Sequence, residues 1–246
     1  MSCPYILKNG YGGMVDVGTE FVYRQMRYYV LSVEDREVAL SGATTDLSGV
    51  VDIPAKVRFN NDDYTVVAIF GMAFVDAGKV ASVKYPSTMF YLMSHAFAGA
   101  DLDPAFEIPS HLEYVGGYHF AGCTGLREVY LPKGMVDVPS GMFNDCLDLM
   151  FVKLGPNVET IGDFAFMGCK NLSLVIGDNC LPDKLEGAVL PESVCEVGGS
   201  AFSDTRIECV YTDAEIGKRY DDVPVFRKRT DSNGLKRVRS GFVGLR

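Results

Sequence analysis

The stretch GDFAFMGCKNL, residues 162–172, places a phenylalanine on each side of an alanine and a cysteine three residues after the second phenylalanine. Related stretches are HAFAGADL at 95–102, HFAGCTGL at 119–126 and MFNDCLDL at 142–149. Their recurrence indicates an internal repeat, and a repeat of 20–50 residues decides the fold of a chain.

The repeat has a period of 23 residues, which a column of phenylalanines defines. Five of them are 23 residues apart and the sixth follows after 36, one period plus 13: Phe74, Phe97, Phe120, Phe143, Phe166 and Phe202. The position before each is Ala73, Ala96, His119, Met142, Ala165 and Ala201. Five before it stand Ile69, Leu92, Val115, Val138, Ile161 and Val197. Three after it stand Ala77, Ala100, Cys123, Cys146, Cys169 and Thr205.

Each period also contains a segment that alternates with period two. In LREVYLP, residues 126–132, Val129 and Leu131 share one face, and Glu128 and Tyr130 share the other. The inner-face counterparts are Val83, Tyr85, Phe106, Ile108, Val152, Leu154, Ala188 and Leu190. Four such segments end at Pro86, Pro109, Pro132 and Pro191, because proline cannot donate to a continuing ladder. The pattern predicts one half-buried strand per repeat.

A single 23-residue unit cannot bury its apolar face, so the units are expected to stack with each Phe on the next. The cysteine column, Cys123, Cys146 and Cys169, then lies buried in a tight corner, where a free thiol behaves as a small hydrophobe. No histidine column accompanies these cysteines, which favours packing over a metal site.

These columns resemble the BspA-type leucine-rich repeat family, whose unit is a strand ending in LP, a Val or Ile turn with Gly, then AF, C and Leu. LREVYLPKGMVDVPSGMFNDCLDL and VETIGDFAFMGCKNL carry the resemblance, which extends over residues 51 to about 211. The chain departs from it where HF and MF replace AF, and where GADLDPAFEIP lacks the Leu six residues after Phe97. The resemblance implies a mainly β fold, a right-handed solenoid of about six 23-residue repeats with a β-hairpin N-terminal cap.

Three regions are predicted. Residues 1–50 form an N-terminal β cap, in which EFVYRQMRYYVLS and EVALSG are strand pairs. Residues 51–211 form the solenoid, with VVDIP as the first rung, FNNDDYTVV as an extra hairpin and an insertion near 172–184. Residues 212–246 form a C-terminal cap and basic tail.

The charge is divided unevenly along the chain. The net charge is −9, yet residues 227–246 carry seven Lys or Arg and one Asp, which leaves −15 on residues 1–226. An acidic body does not attract nucleic acid or anionic lipid. The tail either caps the last rung or is a solvated segment, and the alternative is that it binds nucleic acid or acidic lipid.

No membrane span and no secretory signal are predicted. The chain has no run of the ~20 apolar residues that a spanning helix needs. Residues 1–18, MSCPYILKNGYGGMVDVG, have no basic region followed by a sustained apolar run. A cell-surface or extracellular location is therefore implied by the family resemblance alone.

Catalytic patterns are not evident. The histidines are His95, His111 and His119, and HExxH, GxSxG and Walker-type loops are absent from the sequence. GYGGMVDVG at 10–18 has no strand before it, Cys195 and Cys209 could pair, and NLS at 171–173 fits a glycosylation acceptor. We therefore predict neither an enzyme, nor a cofactor, nor a metal, nor a small-molecule substrate; an enzyme site between the cap and the first rungs is the minor alternative.

The outward strand positions define a candidate protein-binding surface. One predicted row is Lys84, Glu107, Tyr130 and Lys153, and a second is Ser82, Ala105, Glu128 and Phe151. Rungs lie ~4.8 Å apart, so Tyr130 and Phe151 are expected to form an aromatic patch flanked by Glu128 and Lys153, which suits a protein partner. The candidate residues are Lys84, Glu107, Glu128, Tyr130, Phe151 and Lys153.

Two alternatives stay open. The outward residues can be ordinary cross-strand pairs, with Lys84 opposite Glu107. The family resemblance implies a bacterial surface or secreted protein that attaches to a host or neighbouring-cell protein, whereas the basic tail would suit an intracellular scaffold or a nucleic-acid-associated protein.

Overall fold

The structure, a computed structural model, describes residues 18–44, 47–75, 77–177, 187–208 and 210–211, together with the backbone of 212 and 225–227. All named elements in this part of the chain are β-strands, so the fold is mainly β as predicted. The chain divides into two compact units, Met1–Gly125 and Leu126–Arg246. Each unit is built from the repeat and is described by itself.

The first unit contains nine strands among its described residues. They are β1 (Glu20–Tyr23), β2 (Met26–Ser32), β3 (Glu37–Ala43), β4 (Gly49–Asp52), β5 (Lys56–Phe59), β6 (Asp62–Ile69), β7 (Val80–Lys84), β8 (Tyr91–Leu92) and β9 (Tyr114–Val115). One sheet has the order β1-β2-β3-β6-β8-β9 with β5 on β6, and a second pairs β4 with β7. Four pairs are parallel: β3 with β6, β6 with β8, β8 with β9, and β4 with β7.

The non-repeating strands of the first unit are antiparallel hairpins, as the sequence predicted. The turn Arg24–Gln25 joins β1 to β2, and Asn60–Asn61 joins β5 to β6. Both residues of each turn have positive φ, 47° and 69° in the first and 49° and 69° in the second. This is the two-residue turn whose twist matches that of paired strands. The hairpin expected in FNNDDYTVV is therefore confirmed.

The described residues of the second unit form nine further strands. They are β10 (Glu128–Tyr130), β11 (Asp137–Val138), β12 (Phe151–Lys153), β13 (Thr160–Ile161), β14 (Leu174–Ile176), β15 (Gly187–Val189), β16 (Glu196–Val197), β17 (Val210–Thr212) and β18 (Val225–Arg227). Two parallel sheets result, β10-β12-β14-β15-β17-β18 and β11-β13-β16. The second of these consists of two-residue strands built on the Val and Ile column, so the repeats that contain β10 and β11, β12 and β13, and β15 and β16 each contribute two strands instead of the one predicted.

The phenylalanine column is the core of both units. In the first, Phe74 stacks on Phe97 with ring centroids 4.3 Å apart, and Phe97 on Phe120 at 5.5 Å. In the second, the Phe166 ring lies 5.6 Å from Phe143 and 5.5 Å from Phe202. All of these side chains are buried. The stacking predicted from the 23-residue period is confirmed within each unit.

The longer interval before Phe202 does not disturb the stack. β14 pairs directly with β15, and β13 with β16, in the register that an uninterrupted repeat would give. The sheet of β10 therefore contains one additional strand, β14, which has no counterpart between β13 and β16, and the next rung begins with β15 at Gly187. Residues 178–184 of the predicted insertion, and residues 185 and 186 after it, lie outside the described part of the chain.

One predicted strand is wrong. Phe106 and Ile108 are buried as expected, but residues 104–108 form no strand. The Asp103 side chain accepts a hydrogen bond from the Ala105 N–H at 3.2 Å, and the Asp103 carbonyl accepts one from the Phe106 N–H at 3.1 Å. This local turn replaces the ladder, because aspartate before proline competes for the backbone donors.

The two phenylalanines of the opening stretch lie in different environments. Phe166 is fully buried, whereas Phe164 is partly exposed and adopts a φ of 59°. The same left-handed position recurs two residues before every column phenylalanine: Met72, His95, Tyr118, Gly141, Phe164 and Ser200. A left-handed residue costs about 1–2 kcal/mol unless it is glycine. The stacked core therefore holds this turn in place.

Candidate protein-binding surface

Four of the six candidate residues lie together on the outer face of the second unit. β10 and β12 pair in parallel, with Glu128 opposite Phe151 and Tyr130 opposite Lys153. Val129 and Val152 between them are buried. Since successive side chains of a strand point to opposite faces, the four candidates stand on the outward face, as the alternation predicted.

The aromatic pair forms the centre of this surface. The Tyr130 and Phe151 ring centroids are 5.7 Å apart with an interplanar angle of 61°, which is an edge-to-face contact. Tyr130 is 56% exposed, and its hydroxyl donates to the Glu128 carboxylate at 3.3 Å. The Phe151 ring, half-buried, supports the tyrosine from the neighbouring strand. We call Glu128, Tyr130, Phe151 and Lys153 the aromatic surface.

Apolar residues that the sequence reasoning missed extend the same face. In register, Leu174 follows Phe151, and Ile176 follows Lys153. Ile176 is only 8% exposed and Val189, the next residue of that row, only 3%. Adding one period to 151 and 153 would have identified Leu174 and Ile176. The outer face thus changes from charged and aromatic at β10 and β12 to aliphatic at β14 and β15.

Lys84 and Glu107 belong to the first unit and do not form a pair of neighbouring strand residues. Lys84 lies on β7, and its ammonium nitrogen is 3.9 Å from the Asp52 carboxylate of β4. Glu107 is exposed and belongs to no strand. The cross-strand pairing of Lys84 with Glu107 that the sequence allowed is therefore wrong, and Asp52 takes that place.

The buried histidine of the first unit is not arranged for catalysis. His119 replaces alanine in the repeat, is fully buried, and touches the edges of Phe97 and Phe120. Its Nδ1 donates to the Met93 carbonyl at 3.2 Å, whereas its Nε2 has no partner. Burial lowers the pKa of His119 to about 3. The ring is therefore neutral and shielded from any substrate in solution.

The cysteine column is buried as predicted. Cys123, Cys146 and Cys169 are free thiols with no exposed surface. The Cys123 thiol donates to the Phe97 carbonyl and the Cys169 thiol to the Phe143 carbonyl, each at 2.9 Å. Burial raises the pKa of Cys123 to about 12. Because the thiolate is the nucleophile, this thiol is unreactive at neutral pH.

The structure describes two of the remaining candidates from the sequence, Cys195 and Asn171. Cys195 is an exposed free thiol. The Asn171 amide nitrogen donates to the Leu147 carbonyl at 2.8 Å, and its amide oxygen accepts from Arg206 at 3.0 Å, so the side chain serves the repeat. Residues 10–17, Cys180, Cys209 and the tail beyond residue 227 lie outside the described chain.

The described part of the molecule has no cluster of metal ligands, and it has a small cavity in its first unit. No three His, Cys, Asp or Glu side chains of the described ranges converge as a metal ion requires. A cavity of about 70 Å³ in the first unit is lined by Arg27, Ala43, Leu47, Met72, Ala73, Val75 and Ala77. Ligand pockets typically enclose ~300–1,000 Å³, so this cavity admits only a small group.

Six copies of the BspA type leucine rich repeat region match the chain, over residues 58–173 and 104–223. No curated protein sequence is detectably similar. Helices with the length and hydropathy of a membrane span do not occur among the described residues.

Solved structures with the same fold come from several bacteria. A leucine rich cell surface protein from Faecalibacterium prausnitzii is 20% identical with a TM-score of 0.56, over 80% of this chain and 55% of that one. A leucine-rich repeat protein from Bacteroides ovatus is 24% identical with a TM-score of 0.52, over 78% and 58%. One from T. pallidum is 21% identical with a TM-score of 0.54, over 77% and 91%.

These likenesses concern the fold, and the chain spans only 55% and 58% of the first two proteins. The matched repeats cover two thirds of the sequence and include every phenylalanine of the column. The chain belongs to the BspA-type leucine-rich repeat family.

Proposed function

We propose that the chain is a non-catalytic protein-binding module of a bacterial cell-surface or secreted protein, and that its partner is a protein on a host or neighbouring cell. The observation that carries this proposal is the exposed edge-to-face pair of Tyr130 and Phe151 on a rigid sheet. Tyrosine anchors of this kind contribute much of the binding energy at protein interfaces. The family supports the general role in protein interaction.

The aromatic surface has the composition of an interface centre and rim. The Tyr130 ring offers a large apolar area with little side-chain entropy to lose, since only two torsions must be fixed. Glu128 and Lys153 provide one charge of each sign beside it, which sets orientation more than affinity. A protein surface with an apolar recess bordered by charges of both signs would fit this arrangement.

The proposal of a cell-surface location rests on the proteins that share the fold. The Faecalibacterium prausnitzii structure that shares the fold is described as a leucine rich cell surface protein. For this chain, the location and the adhesive role are part of the proposal. We also propose three regions on the basis of the repeat columns in the sequence. They are a cap at 1–50, a right-handed solenoid at 51–211 and a C-terminal cap and tail at 212–246.

The proposal is tested by measuring binding of the fluorescently labelled full chain to intact bacterial and host cells. Binding should be saturable and should disappear after the cells are treated with trypsin. The double variant Tyr130→Ser with Phe151→Ser should fold normally and lose binding at least tenfold. Val22→Ser is the matched control, because Val22 is also a 56% exposed strand residue but lies in the first unit.

Deletion of residues 227–246 distinguishes the proposed function from the alternative, in which the basic tail carries the function. The proposal predicts that the deletion keeps cell binding. Full binding by the double variant, together with loss of binding in the deletion, would assign the function to the basic tail. Salt-dependent binding of RNA or DNA that vanishes with the tail would support the nucleic-acid-associated alternative.

A further inference from the structure

In the first unit the hairpins extend only one of the two sheets. β6 continues through β3 and β2 to β1, so the sheet that contains β8 and β9 gains three additional strands. The other sheet ends at β4, which among the described residues pairs with β7 alone. β4 is therefore an edge strand at the point where the repeats begin.

The backbone of β4 presents unpaired groups at this edge. The Gly49 N–H donates to the Lys79 carbonyl at 2.8 Å and the Ile53 N–H to the Lys84 carbonyl at 3.1 Å. Alternate residues of a parallel strand direct their N–H and C=O to the same neighbour, so Val51 also faces β7. The backbone groups of Val50 and Asp52 face away, and no residue of the described chain bonds to them on that side.

The side chains of β4 leave this edge open. Val50 is 57% exposed, and the Asp52 side chain is 73% exposed. Natural edge strands are usually blunted by lysines, prolines or inward charges. β4 has only four residues and carries the charge of Asp52, but an exposed β-branched residue stands in the middle of its edge, and the next proline, Pro54, lies beyond the strand.

We propose that β4 binds an extended segment of a partner protein by strand addition, through the backbone groups of Val50 and Asp52. The added strand carries a β-branched or aromatic residue beside Val50 and a lysine or arginine beside Asp52, because opposite charges and apolar pairs are the favourable cross-strand neighbours. β7 already satisfies half of this rule, since Lys84 stands opposite Asp52 on the other side. This edge is separate from the aromatic surface and does not depend on it.

The test uses the ¹⁵N-labelled full chain and the synthetic peptide acetyl-KVTVTKT-amide, in which valine and lysine are two residues apart. At saturating peptide, hydrogen exchange of the Val50 and Asp52 amides should slow at least tenfold. The Val51 amide, already bonded to β7, should change little. The matched peptide acetyl-KVTVTET-amide should bind about two- to fivefold more weakly, as expected for replacing an attractive cross-strand pair.

Three variants distinguish the edge from a non-specific contact. Val50→Pro removes the outward N–H and should abolish peptide binding, whereas Val50→Thr keeps it and should bind. Asp52→Lys should reverse the preference, so that the glutamate peptide binds better than the lysine peptide. This variant decides the matter if Val50→Pro does not fold.

Three results would overturn the proposal. The first is unchanged exchange at Val50 and Asp52 with millimolar peptide. The second is a peptide preference that Asp52→Lys leaves as it was. The third is protection of both amides without peptide in a protein that sedimentation shows to be dimeric, because a second copy would then occupy the edge.

Discussion

Acidification should destabilise the first unit through His119. The ring is buried against Phe97 and Phe120, and burial lowers its pKa from 6.5 to about 3, with His95 as a minor contributor and the Met93 carbonyl opposing. In the unfolded chain the same ring has its ordinary pKa. Between pH 6.5 and 3 the unfolded state therefore binds a proton that the folded state refuses, and stability falls as the pH falls.

The magnitude follows from the two pKa values. At pH 5 the folded ring is still neutral, whereas the unfolded ring is almost fully protonated. The resulting loss is about 2 kcal/mol relative to pH 7, and about 3 kcal/mol at pH 4. Such a loss is a large share of the 5–15 kcal/mol by which domains are typically stable. His95 and His111 are exposed.

The measurement is urea unfolding followed by far-UV circular dichroism at pH 7 and pH 5, since the chain has no tryptophan to report fluorescence. His119→Met is the control, because Met142 fills the same column in the next repeat. Carboxylates and the other histidines contribute equally in both proteins. The wild type should lose about 2 kcal/mol more than the variant between the two pH values. Equal losses would refute the account of a neutral, buried His119.

Three further predictions concern the repeat core. Phe143→Ala should cost about 3–5 kcal/mol in urea unfolding, against less than about 0.5 kcal/mol for Lys153→Ala; equal, small losses would exclude the phenylalanine column as the core. Mass mapping after thiol labelling should find the three column cysteines modified only in denaturant, and a disulfide between any two of them would contradict their burial. Gly162→Ala should lower stability by about 1–3 kcal/mol, because the new Cβ would lie 2.5 Å from the Ser140 backbone nitrogen; an unchanged midpoint would show that the rungs can separate there.

The core was predictable from the sequence because stacking imposes one residue type at one interval. The phenylalanine and cysteine columns each occupy a place that a neighbouring copy repeats, so spacing alone reveals them. The outward positions of Tyr130 and Phe151 followed from the alternation of LREVYLP and the 23-residue period. Both inferences rest on geometry that every rung shares.

Features that occur in a single rung could not be predicted from the sequence in this way, because no other copy repeats them. The strands β11, β13 and β16 have two residues each, which is too short for any alternation to appear. The turn at Asp103 arises from one side chain and the following proline. Leu174 and Ile176 continue the 23-residue spacing from Phe151 and Lys153, but they were missed because their segment falls in the predicted insertion near 172–184 and was not counted as a rung. The environment of His119 required the contacts of three neighbouring residues.

We propose that Tyr130 lies against a protein partner. The most direct measurement replaces Tyr130 with the photo-reactive p-benzoylphenylalanine, irradiates the full chain on intact cells and identifies the cross-linked product by mass spectrometry. A covalent adduct with one cell-surface protein is expected from position 130. None is expected from the same replacement at Val22, which is equally exposed. Adducts from position 22, or from the same replacement placed in the basic tail, with none from position 130, would contradict a partner at Tyr130.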